Sequence, residues 1–62
     1  MINYEEVINK FESTYKHLGS NAEHYILEDI DFWERANMID YLTANILISI
    51  NKAIATNGGK LR

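Results

Sequence analysis

The stretch that decides the fold runs from Ala36 to Asn57 and reads ANMIDYLTANILISINKAIATN. Only Asp40 and Lys52 carry a charge in it, so most of the stretch is predicted to be buried. Polar residues interrupt its apolar runs well before they reach the roughly 20 residues that a membrane-spanning helix needs. The stretch therefore predicts a buried helix in a protein that does not span a membrane.

A helical wheel places the apolar residues of this helix on two faces, one of which covers an arc of roughly 180°. In a chain of 62 residues, two other helices offer little material to cover both faces. We therefore predict a homo-oligomer in which other copies cover the helix, with a monomeric three-helix bundle as the alternative. An interfacial Asn45 or Asn51 could set the register. The predicted interface is Ile39, Leu42, Ile46, Leu47, Ile50 and Ile54, and the second face is Tyr41, Ala44 and Ile48.

Local signals mark a first helix over residues 3–18. Asn3 and Glu6 have the spacing of a capping box at its start, and Gly19 can take the left-handed conformation that ends a helix. Between these positions, apolar residues recur every three or four residues, which is typical of one buried helix face. They are Tyr4, Ile8, Phe11, Tyr15 and Leu18.

Two more segments have the spacing of a capping box. The first, SNAE at 20–23, predicts the start of a second helix that covers about 21–29. The second, DFWE at 31–34, lies in the middle of a run that contains no glycine or proline. We therefore predict a break near 29–31 and a long third helix over about 32–57, which forms the core of the oligomer.

The chain is short enough to form only one domain, so residues 1–62 are predicted to be a single all-α unit. Its helices form a hairpin or a three-helix arrangement, and residues 58–62 form a flexible basic tail. The chain has no Cys, which excludes disulfides and Cys-based zinc sites and fits a reducing cytoplasm. The segment MINYEE at 1–6 does not read as a signal peptide, and a cytoplasmic location is predicted.

Charge is divided unevenly along the chain. All nine acids precede residue 41, whereas Lys52, Lys60 and Arg62 lie beyond it without an acid. The six basic residues are dispersed and outnumbered, which argues against direct DNA binding. In an oligomer, the three C-terminal cations could bind a small anionic ligand such as a nucleotide. As a further alternative, the acidic segment 23–40 could mimic nucleic acid.

The sequence contains no pattern that predicts catalysis. It has no nucleophile elbow, phosphate-binding loop or dinucleotide fingerprint. His24 and Glu28 share a helical face and could hold a divalent metal, but a second pair of ligands is missing from the sequence. We therefore predict that the protein is not an enzyme and uses no metal or other cofactor.

An aromatic surface is the remaining candidate for function. Trp33, Arg35 and Tyr41 are residue types that contribute strongly to protein interfaces, and they are predicted to contact another protein. The predicted function is that of a non-enzymatic helical homo-oligomer, a regulator or inhibitor that binds a protein partner. By size alone, it is typical of small regulators encoded by compact bacterial or phage genomes.

Overall fold

The computed structural model describes residues 2–61, which form three α-helices and no strand. Helix α1 covers Tyr4–Leu18, α2 covers Ala22–Arg35 and α3 covers Tyr41–Thr56. A 3₁₀ turn at Gly19–Asn21 joins α1 to α2. The predicted all-α, three-helix arrangement is confirmed.

Helix α1 begins and ends where its local signals predict. The Asn3 side chain accepts a hydrogen bond from the Glu6 amide at 3.2 Å, and Gly19 has a φ of 62°. Of the predicted apolar face, Phe11 and Tyr15 are buried in the core, whereas residues at both ends of the helix remain partly exposed. These local signals were sufficient because each acts on backbone groups within one turn of its own position.

The predicted break near 29–31 is wrong, since α2 runs through it without interruption to Arg35. Asp31 does not cap a new helix. Its carboxylate accepts a hydrogen bond from Arg35 Nε at 2.8 Å, one turn further along the same helix. An acid in mid-helix is compatible with an ion pair of this spacing, which removes its need for a free amide.

The true break lies between α2 and α3, where Asn37 takes a left-handed conformation with φ of 60°. The Met38 amide donates to the Trp33 carbonyl at 2.8 Å, and the Asn37 amide donates to the Glu34 carbonyl at 3.0 Å. This pair of bonds is a Schellman motif, in which asparagine replaces the usual glycine. The predicted helices over 21–29 and 32–57 are thereby corrected.

Helix α3 starts where Asp40 accepts a hydrogen bond from the Thr43 amide at 2.7 Å. With 16 residues it is about 24 Å long at 1.5 Å per residue, nearly the length of α1. It is therefore not the long helix that the sequence predicted, and α1 and α2 can cover one side of it from end to end. The buried apolar residues are Phe11, Tyr15, Ala22, Ile26, Ile30, Ala44, Leu47 and Ile54.

The segment after α3 turns back onto α1. The Gly59 amide donates to the Ile54 carbonyl at 2.8 Å, and the Leu61 amide donates to the Glu12 carboxylate at 2.7 Å. A Cβ on Gly59 would lie 3.3 Å from the Cβ of Tyr15, so this close approach of the backbone favours glycine. Leu61 also packs against the core. Residues 58–61 thus have defined contacts where the sequence predicted a flexible tail, and Arg62 lies outside the described residues.

Candidate functional site

A buried polar junction fixes how α3 is turned relative to the other two helices. The Tyr15 hydroxyl donates to Asn51 Oδ1 at 2.7 Å, and Asn51 Nδ2 donates to the Glu23 carbonyl at 3.1 Å. Asn51 is completely buried, so both ends of its side-chain amide need these partners. Because each helix contributes one member, the junction determines which face of α3 points into the chain.

Burial of the hydroxyl, and secondarily the negative charge of Glu23, raise the pKa of Tyr15 above its ordinary value of 10.0. The neutral phenol can donate to Asn51, whereas a phenolate could not. The chemistry of the junction is therefore that of a structural hydrogen bond, with the donor kept protonated at neutral pH.

The opposite side of α3 is not covered by the chain. We define the outer face of α3 as Leu42, Ile46, Ile50 and Ala53. Leu42 is 70% exposed and Ile46 is also exposed, while Ile50 and Ala53 are partly buried. Lys52 is the only charged residue of α3, so this surface lacks the charges of an ordinary solvated helix.

A shallow groove of about 380 Å³ runs along the outer face. Ile46, Ile50 and Ala53 form its apolar floor, and Leu61 from the returning tail forms part of its wall. The groove exists because the tail is anchored beside α3, which the sequence alone did not predict. Asn45 and Ser49 complete its lining.

A second apolar surface surrounds the turn between α2 and α3. We define the turn patch as Phe32, Met38 and Tyr41, each at least 64% exposed. Of the residues predicted to bind a protein partner, Tyr41 belongs to this patch, and Arg35 is exposed nearby in sequence and pairs with Asp31. Trp33 instead packs against the core.

Phe32 and Met38 are surface residues that the sequence reasoning missed. The buried positions of α2 are Ala22, Ile26 and Ile30, spaced by four residues, and Trp33 continues that face three residues later. Phe32 is out of step with this face, which was a usable signal. Met38 could be assigned only once the turn was located, because the sequence placed it inside a helix.

The residues predicted to form the oligomer interface fall into three groups. Leu47 and Ile54 are 1% and 0% exposed within the chain, so they belong to its own core and present no surface to another copy. Ile39 and Ile50 are partly buried. Leu42 and Ile46 remain available for an intermolecular contact.

The predicted second face of α3 is also divided. Ala44 is buried in the core, whereas Tyr41 and Ile48 are exposed. Of the two asparagines considered for setting register, Asn51 is buried within the chain and Asn45 is exposed. The register role of Asn51 therefore acts between helices of one chain.

The cations predicted to bind an anionic ligand do not converge. A wider open groove of about 800 Å³ between α1, the start of α2 and the tail includes Lys60, and Lys16 lies beside it. Lys52 is not part of its lining, and Glu12 and Glu23 balance the two lysines. The groove therefore lacks the excess positive charge that would select an anion.

The remaining polar features of the described chain are surface pairs. His24 Nε2 lies 2.9 Å from the Glu28 carboxylate, but residues 2–61 contain no group of three or more acids or histidines placed to hold a metal. Over the same residues, none of the helices combines the length and hydropathy needed to cross a membrane. Comparison of the chain with protein-family models, with curated proteins and with solved structures gave no match.

Proposed function

We propose that the protein is a non-enzymatic helical homo-oligomer that acts as a regulator or inhibitor by binding a protein partner. One observation carries the proposal. Among the described residues, the four most exposed large apolar side chains are Phe32, Met38, Tyr41 and Leu42, and all lie between residues 32 and 42. Exposed apolar residues grouped in this way are typical of interaction surfaces.

The composition of the two surfaces suggests different partners. The outer face of α3 is aliphatic and nearly uncharged, which is typical of contacts between identical subunits. The turn patch combines two aromatic residues with a flexible methionine, next in sequence to Arg35. Aromatic residues and arginine often dominate the binding energy of protein interfaces, and methionine adapts to partners of different shape. We therefore assign the outer face to self-association and the turn patch to the partner.

A binding role also agrees with how the buried polar groups are used. Tyr15 and Asn51 bind each other and backbone carbonyls, so they are not free to act on a substrate. In a chain of this size, a preorganised catalytic site would have to be built on the surface. We place the protein in the cytoplasm, a proposal supported by the absence of cysteine.

The proposal is tested in two steps. Light scattering at micromolar concentration should give a mass above the 7.2 kDa of one chain. Co-purification from the native host, followed by mass spectrometry, should then identify a protein that the double variant Phe32→Ala/Tyr41→Ala no longer retains. Tyr25→Ala is the matched control, because Tyr25 is an exposed aromatic residue of α2 outside the patch.

The possible failures are distinct. A mass of 7.2 kDa at every concentration would contradict self-association. A partner that is retained equally by the double variant and by wild type would contradict the assignment of the turn patch. Circular dichroism should show unchanged helix content in both variants, since these side chains are mostly exposed.

A further inference from the structure

We propose that two copies of the chain dock antiparallel through the outer face of α3, about a two-fold axis at Ile46. Leu42 of each copy inserts into the groove of the other copy. This inference rests on the proposed self-association and specifies its geometry. Three independent features of α3 support it: the shape of the groove, the spacing of the apolar residues and the position of the charges.

The groove has the shape of a hole in knobs-into-holes packing. Such a hole is formed by four residues at i, i+3, i+4 and i+7 of one helix. Ile46, Ser49, Ile50 and Ala53 have this spacing, and all four line the groove. Leu42 is the matching knob, because it is 70% exposed and lies on the same face one turn before Ile46.

The apolar residues are arranged symmetrically about Ile46. Ile39, Leu42, Ile46, Ile50 and Ala53 follow one another at intervals of 3, 4, 4 and 3 residues. In a two-fold interface, if residue i of one copy contacts residue j of the other, then residue j also contacts residue i. An antiparallel pair centred on Ile46 therefore brings Leu42 opposite Ile50 of the second copy, in the middle of the hole. The offset of about 6 Å on each side of the axis is the same for knob and hole, because four residues rise 1.5 Å each.

The charges at the ends of α3 also favour an antiparallel pair. Asp40 and Lys52 each lie six residues from Ile46, on opposite sides. The antiparallel pair brings Lys52 of one copy near Asp40 of the other at both ends, whereas a parallel pair would place Lys52 beside Lys52. Both side chains are exposed, and hydrogen bonds from Thr43 lower the pKa of Asp40, which keeps its carboxylate charged. Antiparallel helices also oppose their dipoles favourably.

The self-complementarity of this surface identifies a second copy as the occupant. A foreign helix would need only an apolar groove, and it would place no constraint on the positions of Leu42, Asp40 and Lys52 relative to one another. Here the knob, the hole and both charges are placed at equal distances from one residue. That arrangement is useful only to a partner with the same sequence in the reverse direction.

Cysteine cross-linking tests the geometry, because the natural chain has no cysteine. Each single variant is oxidised and run on a non-reducing gel, where a cross-linked pair has twice the 7.2 kDa mass of one chain. Ile46→Cys should cross-link to itself, since it lies on the axis. Leu42→Cys and Ile50→Cys should cross-link when mixed with each other but not alone. Tyr25→Cys, exposed on α2, controls for random collision.

A second pair guards against an unstable Ile50→Cys variant. Ile39→Cys and Ala53→Cys are also symmetric about Ile46 and should cross-link only when mixed. If Leu42→Cys and Ile50→Cys each cross-link alone as efficiently as Ile46→Cys, the pair is parallel and the inference is overturned. If scattering gives an oligomer but no variant exceeds the Tyr25→Cys control, the interface lies elsewhere. A mass of one chain at every concentration would instead overturn the proposed function.

Discussion

The inner and outer faces of α3 are similar in composition but differ in how they are covered. The inner face, Ala44, Leu47, Asn51 and Ile54, is buried by α1 and α2. The outer face is rich in isoleucine and leucine and yet has no cover from the chain. The inner face carries a polar residue, Asn51, whose partners come from the other two helices.

This difference shows what decides the orientation of α3. Apolar area alone would stabilise either face against α1 and α2, because the hydrophobic effect has no direction. Turning Asn51 outward would leave the Tyr15 hydroxyl in the core without its side-chain acceptor, which costs about 1–3 kcal/mol for a buried unsatisfied group. The polar junction thus selects the inner face, and the surplus apolar face is left for a second copy.

The largest expected effect separates the two faces with one pair of matched changes. Leu47→Ala should lower the free energy of unfolding by about 2–5 kcal/mol, because it opens a cavity in the core. Leu42→Ala should leave the stability of the isolated chain nearly unchanged but weaken self-association. Denaturant melts at several protein concentrations measure both quantities.

Wild type should unfold at a higher denaturant midpoint as its concentration rises, since association stabilises the folded state. Leu42→Ala should lose most of that concentration dependence. Equal losses of stability in the two variants at the lowest concentration would contradict the assignment of inner and outer faces.

The next effect concerns the polar junction. Asn51→Ala should lower the free energy of unfolding by about 2 kcal/mol or more, because it removes two buried hydrogen bonds and leaves a small cavity. Asn45→Ala is the matched control on the exposed side of the same helix, and it should change stability by no more than about 0.5 kcal/mol. If both variants had the same stability, Asn51 would not select the inner face.

Much of the fold could be predicted from the sequence where signals are local. Asn3 and Gly19 set the ends of α1 through backbone groups within one turn, and both predictions held. The boundary between α2 and α3 could not be located in this way. Asn37 performs the role usually given to glycine, and Asp31 offers a capping signal that the ion pair with Arg35 overrides.

The candidate surfaces were less predictable, because they depend on contacts between distant residues. The sequence identified Leu42 and Ile46 as apolar positions of α3 but grouped them with Leu47 and Ile54, which the chain buries itself. A helical wheel gives the angle between residues but not the direction of the neighbouring helices. That direction depends on Asn51 and its partners, which lie 28 and 36 residues away.

The pH dependence of stability provides a subtler test of the junction. Because the folded state raises the pKa of Tyr15, it holds the phenolic proton more tightly than the unfolded chain does. This contribution to stability is complete below the ordinary pKa of 10.0 and is lost as the pH rises further, through the raised value. Denaturant melts between about pH 8 and pH 11 should therefore show a falling midpoint.

The expected fall in midpoint should be smaller in Tyr15→Phe, which has no proton to lose. Tyr25→Phe is the matched control, because Tyr25 is exposed, and it should follow wild type. If Tyr15→Phe lost stability at high pH as steeply as wild type, the phenol would not be the titrating group.

The smallest expected effect concerns Asn37, whose conformation determines where α3 begins and therefore which residues reach the outer face. At φ of 60°, Asn37→Gly should raise the free energy of unfolding by about 0.5 kcal/mol, because relief of the left-handed conformation exceeds the added entropy of the unfolded chain. Asn37→Ala should lower it by about 1 kcal/mol, since alanine resists this conformation more than asparagine does. A continuous helix over 32–57 would reverse both signs, because alanine is then favoured over asparagine, and asparagine over glycine. Denaturant melts of the two variants, with the protein concentration held constant, therefore decide between the turn at 36–40 and an uninterrupted helix.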